Sequence, residues 1–223
     1  MLILGVDTSG KDGSIALVKF ETGSVRPLEV VPLEGGTFSA QLVPQISDAL
    51  KRHGLTKRNL DGFAAVSGPG SFTGLRVGLA AIKALSEVLQ KPIAAVSLLE
   101  AVARASSCQG EMVVALDAGR NEVYSAAFHV SDSQATARNQ QLLPHSEFLS
   151  VIGDRQILTC DAKIAELARE ANLRVLHIAR PRADFIARLG FEKIQAGEIT
   201  TPEALDANYI RRSDAEIKKP VHH

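Results

Sequence analysis

The sequence predicts an α/β protein built from two related lobes, and three observations carry that expectation. Short β-type runs alternate with segments of helical period along most of the chain. Each half opens on the same unit: a strand, an aspartate at its end, a turn of small residues and a second strand, with Asp7-Thr8-Ser9 in the first half and Asp117-Ala118-Gly119 in the second. The 223 residues, 45% hydrophobic and 22% charged, suffice for a sizeable core. Because aspartate is common in turns, the repeat rests on the order of the elements.

In the first half, residues 2–7 read as a strand, 8–13 as a turn and 14–20 as a second strand, which makes a hairpin. A third strand fits 25–31, after the turn at Thr22-Gly23. A helix follows over about 39–53, with Leu42, Ile46, Ala49 and Leu50 on one face, Gln41 and Gln45 on a polar one, and Gly54 as its stop. Residues 63–67 form a short buried strand that runs through Gly68-Pro69-Gly70-Ser71-Phe72-Thr73-Gly74 into a helix over about 75–90, ended by Lys91-Pro92. A strand over 93–97 comes next, and Ser97 with Glu100 makes a capping box for a helix to about 105.

The second half begins with strands over 112–116 and 123–130 around a turn at 117–121. Tyr124, Ala126 and Phe128 alternate with polar or small neighbours. Residues 131–141 are polar without a core face and are expected to form a loop. Strand, helix, strand and helix are then expected over 157–159, 162–171, 175–178 and 183–196. The end, 201–212, carries a proline, a turn and the apolar pair Tyr209-Ile210.

Lys plus Arg and Asp plus Glu number 25 each, so the formal net charge is zero and the chain lacks the global basic field of a direct nucleic-acid binder. The absence of Trp and an aromatic share of 4% argue against a base-stacking platform. Cys108 and Cys160 match no zinc spacing and no disulfide framework, and read as reduced. The apolar run 2–6 ends at Asp7 without a basic flank, so no signal peptide is expected. No run is long enough to cross a bilayer, and the expected location is the cytoplasm.

The most specific stretch is SGPGSFTGLRVG, residues 67–78. Glycines between a strand and a helix N-terminus can hold an anion or a partner's backbone, or can simply pack the helix tightly on the sheet. The stretch is neither a P-loop, since no Gly-Lys-Ser/Thr follows, nor a nucleophile elbow, since Ser71 lacks the Gly-x-Ser-x-Gly spacing. Gly78, Ala80, Ala81 and Ala84 give the next helix small side chains, as suits close approach by a partner helix or an ordinary core helix. Asp7 and Asp117 could ligate magnesium through water in a two-lobed phosphotransferase, or each could cap its own turn. With no third carboxylate and only the isolated Gly190 and Gly197 late in the chain, capping is the better reading. No two of His53, His129, His145 and His177 have metal-helix spacing, and no nucleophile, base and oxyanion set stands out.

The segments LILGVDTSGKDGSIALV, SGPGSFTGLRVGLAAIKAL, VVALDAGRNEVYSAAF and LDANYIRR, in that order, resemble the TsaB (YeaZ) family. The central motif is specific, while the Asp-Thr-Ser and Asp-x-Gly pieces belong to a wider superfamily. The resemblance implies the actin-like, Hsp70-like and sugar-kinase-like superfold of two ribonuclease-H-like lobes. The expected division is a first lobe over 1–106 and a smaller second lobe over 107–202, with about 203–216 a candidate to return to the first.

The resemblance also implies a non-catalytic subunit that binds and supports a TsaD-type transferase forming threonylcarbamoyladenosine next to the tRNA anticodon. A TsaE-type ATPase joins through the complex, and tRNA is reached only indirectly. The chain alone is expected to be a homodimer and to hold no cofactor, with ATP or ADP and metal on the partner subunits. The family's docking helices correspond here to about 39–53 and 73–90, giving Gln41, Leu42, Gln45, Ile46, Thr73, Arg76, Val77, Ala80, Ala81 and Ala84 as interface candidates. Asp7, Thr8, Ser9, Gly68, Gly70, Ser71 and Gly74 are candidates for loop shaping or anion contact. One departure is Thr37-Phe38-Ser39, where family members often carry a His-Ser or His-Thr pair. A small ATP-dependent phosphotransferase or ATPase of the same superfold is the alternative, motivated by Asp7, Asp117 and the glycine loop. A metallopeptidase, after the older name glycoprotease, is disfavoured by the histidine spacing.

Overall fold

A computed structural model describes residues 1–106, 108–131 and 134–207. Among them, 1–106 with 179–207 form one compact unit and 108–178 a second. The first contains β1 (Leu2–Asp7), β2 (Gly13–Glu21), β3 (Ser24–Leu33), α1 (Phe38–Arg52), a 3-10 turn (Lys57–Asn59), β4 (Gly62–Gly68), α2 (Phe72–Leu89), β5 (Ile93–Ser97) and α3 (Leu98–Ala105). Its sheet runs β3-β2-β1-β4-β5. The first three strands pair antiparallel, and β4 and β5 add in parallel to β1. Every residue of β1 is buried, so the sheet centre is covered on both faces, which is why the strand is continuously apolar before Asp7. Pro27 and Pro32 sit in β3, an edge strand, where a missing N–H is tolerated.

The second unit contains β6 (Gly110–Gly119), β7 (Glu122–Ser131), β8 (Gln134–Pro144), α4 (His145–Val151), β9 (Gln156–Thr159), α5 (Ala162–Glu170) and β10 (Val175–His177). Its sheet order, β10-β9-β6-β7-β8, repeats that of the first, again with a central antiparallel hairpin and two parallel additions. Val113, Ala115, Val123, Phe148, Ile152, Ile157 and Ile164 form its core.

Residues 131–141, expected to be a loop, lie mostly in β8. They pair antiparallel with β7 from Ser131↔Gln134 to Glu122↔Pro144. The strand is exposed over most of its length and stands at the sheet edge, so backbone pairing rather than burial forms it. α2 also starts earlier than the expected residue 75, at Phe72, because Ser71 is its N-cap.

The expected extent of the second lobe, to 202, is corrected by α6 (Ala183–Gln195), which packs on the first sheet. A Cβ on Gly5 would collide with the Ala183 carbonyl, and one on Gly190 with the Ala64 side chain. The Phe20 and Phe191 rings stack at 4.1 Å, and the Ala183 N–H donates to the Ser14 hydroxyl at 3.0 Å. Residues 203–207 lie in the first unit, while the rest of 203–216, including Tyr209-Ile210, is outside the described residues. Among the described residues no helix is long and apolar enough to cross a membrane.

Candidate functional site

The strand β1 delivers Asp7 to the end of the first sheet, where its side chain is only 3% exposed. A buried carboxylate needs donors and a counter-charge. Ser9 supplies two donors to Oδ1, its N–H at 2.8 Å and its hydroxyl. Arg180 supplies the charge, with Nε 3.2 Å from Oδ2 and Nη2 2.7 Å from the Ser9 hydroxyl oxygen. Asp7 is therefore engaged by the chain's own guanidinium. Asp117, in the second unit, is also paired with a cation of its own lobe, Lys163 at 3.2 Å, and accepts the Gly119 N–H at 3.2 Å. Among the described residues no three His, Cys, Asp or Glu side chains are grouped to hold a metal.

The glycine loop leads from β4 into α2 and packs against residues 8 and 9, next to Asp7. Gly68 has φ 134°, a backbone that favours glycine. The Ser71 N–H donates to the Ser9 carbonyl at 2.7 Å, and the Thr8 hydroxyl to the Gly74 carbonyl at 2.7 Å. Cβ atoms on Gly70, Gly74 and Gly78 would collide with Ser9, the Thr8 carbonyl and the Thr8 hydroxyl respectively. Asp7, Thr8, Ser9, Gly70, Ser71 and Gly74 are thus brought together as one packed junction. Of the two sequence readings of this loop, tight strand-to-helix packing accounts for the glycines that sit against Thr8 and Ser9.

Beyond the junction, α2 turns a stripe outward. Thr73, Ala80, Ala84 and Val88 are exposed and Val77 is half-buried, a spacing of three and four that keeps them on one face. Arg76 and Ala81 flank it, and the Arg76 guanidinium lies over the Phe72 ring, 3.7 Å from its centroid. Phe72 at 40% and Val88 at 69% exposure are large apolar groups that sequence reasoning did not nominate. On α1, Val43 is 56% exposed and also escaped notice, for it falls outside the apolar face.

Two interface candidates are corrected. Leu42 and Ile46 are 1% and 4% exposed within the single chain, because they are the apolar face that seats α1 on its own sheet. Gln45 is half-buried, and Gln41 is tied into the preceding loop, its amide donating to the Thr37 hydroxyl and its carbonyl accepting the Glu34 N–H at 3.3 Å. At Thr37-Phe38-Ser39, Phe38 is buried beside Gly13 and Gly74.

Two lobes of the same strand order, each built on a hairpin with an aspartate near its first strand's end, define an actin-like, ribonuclease-H-like α/β protein. A family model described as TsaD, tRNA N6-adenosine threonylcarbamoyltransferase, matches residues 30–190. The chain is 26% identical over 234 aligned positions to the Bacillus subtilis (strain 168) protein named tRNA threonylcarbamoyladenosine biosynthesis protein TsaB, covering 98% of this chain and 97% of that one. It is 24% identical to the Escherichia coli (strain K12) protein of the same name, covering 99% of each. In fold it matches YeaZ from Pseudomonas aeruginosa with a TM-score of 0.74 at 24% identity, over 93% of this chain and 99% of that one. A second Pseudomonas aeruginosa structure, described as similar to peptidase YeaZ, gives 0.75 at 22% identity, over 94% and 99%. The chain belongs to the TsaD family so matched, and the Bacillus subtilis and Escherichia coli relatives aligned over nearly its whole length carry the TsaB name.

Proposed function

We propose that this chain serves in making threonylcarbamoyladenosine in tRNA, as a docking subunit that binds a TsaD-type transferase and contributes no reacting group. The observation that carries the reading is the outward face of α2, Thr73, Val77, Ala80, Ala84 and Val88, small and largely apolar on a helix seated firmly by its other side. Such a face lets another helix approach closely and bury apolar area without moving long side chains. The engagement of Asp7 by Arg180 supports the same reading, since a carboxylate held this way is poorly placed to serve a nucleotide. In this reading the same face makes a homodimer when the chain is alone, so homodimer and heterodimer compete. A TsaE-type ATPase joins through the complex, nucleotide and metal reside on the partners, tRNA is contacted indirectly, and the complex works in the cytoplasm.

The test is reconstitution with a TsaD-type transferase, a TsaE-type ATPase, threonylcarbamoyl-adenylate and tRNA. Modified tRNA is expected only when this chain accompanies the transferase, and none from the chain alone. Product from the isolated chain, or full product when it is left out, contradicts the proposal.

A further inference from the structure

We propose that Arg180 is a positioning residue for partner docking: through Asp7 and Ser9 it fixes the first two turns of α2, and with them the face that α2 presents. The inference rests on the docking role proposed above and assigns that role a control point outside the docking face.

Arg180 comes from the segment that returns to the first unit, 173 residues from Asp7 in sequence. Its guanidinium is a planar fork, and both prongs are used: Nε on the Asp7 carboxylate at 3.2 Å and Nη2 on the Ser9 hydroxyl at 2.7 Å. Asp7 in turn accepts the Ser9 N–H at 2.8 Å, so arginine, aspartate and serine close a ring of hydrogen bonds. That ring sets the path of residues 7–9, and α2 is moulded on those residues. The Ser9 carbonyl takes the N–H of Ser71, the α2 N-cap, at 2.7 Å, and the Thr8 hydroxyl takes hold of the Gly74 carbonyl at 2.7 Å. Gly70 and Gly74 lie against the Ser9 and Thr8 carbonyls and Gly78 against the Thr8 hydroxyl, with no room for a Cβ, so the close packing reaches from the loop into the second turn of α2. Close packing of this kind transmits displacement. Thr73, Val77 and Ala80 stand on the same turns and face outward. Breaking the ring leaves the buried Asp7 carboxylate without its cation, and residues 8 and 9 must move to let water reach it.

The test uses the full chain and measures affinity for a purified TsaD-type transferase together with hydrogen exchange of the α2 amides. Arg180→Met and Asp7→Asn are each expected to weaken docking at least tenfold, and the double variant no more than either alone, because both act through one ring. Arg180→Lys restores part of the affinity. Ile194→Ala on α6 removes a half-buried side chain packed against Gly62, at the opposite end of β1 from Asp7, and is expected to lower stability while leaving affinity within twofold, a result that separates positioning from general destabilisation. Wild-type affinity in Arg180→Met, or an equal loss in Ile194→Ala, overturns the proposal. Hydrogen exchange keeps the two proposals apart. In the isolated chain Arg180→Met is expected to speed exchange at residues 74–78, and unchanged exchange overturns the positioning role whether or not a partner binds. Failure of the wild-type chain to bind the transferase contradicts the docking function instead.

Discussion

In the first lobe the aspartate at the end of β1 has a side chain 3% exposed and is clasped by Arg180; in the second lobe Asp117, at the matching place in β6, is 29% exposed and pairs with Lys163. The sheets around them share one strand order, yet the helices differ in length. The segments after the third strands are α1, 15 residues, and α4, 7 residues; those after the fourth strands are α2, 18 residues, and α5, 9 residues. The second lobe has the shorter helices, whereas the first carries on α2 a stripe that is largely exposed among the described residues. A repeated scaffold thus carries an unequal load: one copy is a framework, and the other combines a rigid aspartate junction with a surface.

The strongest way to break this comparison is to attack the two cores. Leu42→Ala in α1 and Phe148→Ala in α4 each remove a side chain 1% exposed and are expected to destabilise the isolated chain by about 3 kcal/mol in denaturant unfolding. A cheap Phe148→Ala would mean that the second lobe lacks a core of its own. A sharper contrast comes from the aspartates. Asp7→Asn leaves Arg180 without its carboxylate and is expected to cost about 2 kcal/mol, against under about 1 kcal/mol for Asp117→Asn, whose lysine is half in solvent. Equal costs would remove the distinction. The smallest effect is at the edge of the first lobe. The Arg52 guanidinium hydrogen-bonded to Glu29, helped by His53, holds that carboxyl below its ordinary value of 4.5. A carboxyl lowered in the folded state stabilises above its unfolded value, and that contribution fades as pH falls through the folded value. Glu29→Gln should therefore be slightly less stable than wild type at neutral pH and converge with it as acidification carries the pH below the ordinary carboxyl value of 4.5 and through the lowered one, a difference to be read from thermal melts across that range.

Much of the scaffold is legible in the residues because its signals are local. Alternation marks the hairpins, Asp7 and Asp117 mark their turns, and the glycines at 68, 70 and 74 mark a strand feeding a helix. What escapes reading depends on distant partners. β8 is polar because it is an edge, so it looks like a loop until β7 is beside it. α6 follows β10 in sequence but covers the other lobe's sheet, and nothing in its own amphipathic pattern names that sheet. Leu42 and Ile46 are apolar on a helix, a pattern that is the same whether the face meets its own sheet or a partner, and only the fold shows that they meet their own sheet. Arg180 carries no motif at all; its pairing with Asp7 appears only when the chain brings it back to the first lobe. Gly78, which a small-residue reading offers to a partner, instead faces the Thr8 hydroxyl, so enlarging it tests folding rather than docking.

The central claim is that the exposed stripe of α2 is where a transferase docks, and affinity measured by titration calorimetry tests it most directly. Ala84→Arg places a long cation in the middle of the stripe, on a side chain the isolated chain already leaves in solvent. It is expected to keep the fold and lose roughly a hundredfold in affinity for a TsaD-type transferase. Glu166→Arg, on the exposed face of α5, is expected to bind as wild type. Undiminished binding by a folded Ala84→Arg chain would contradict the account.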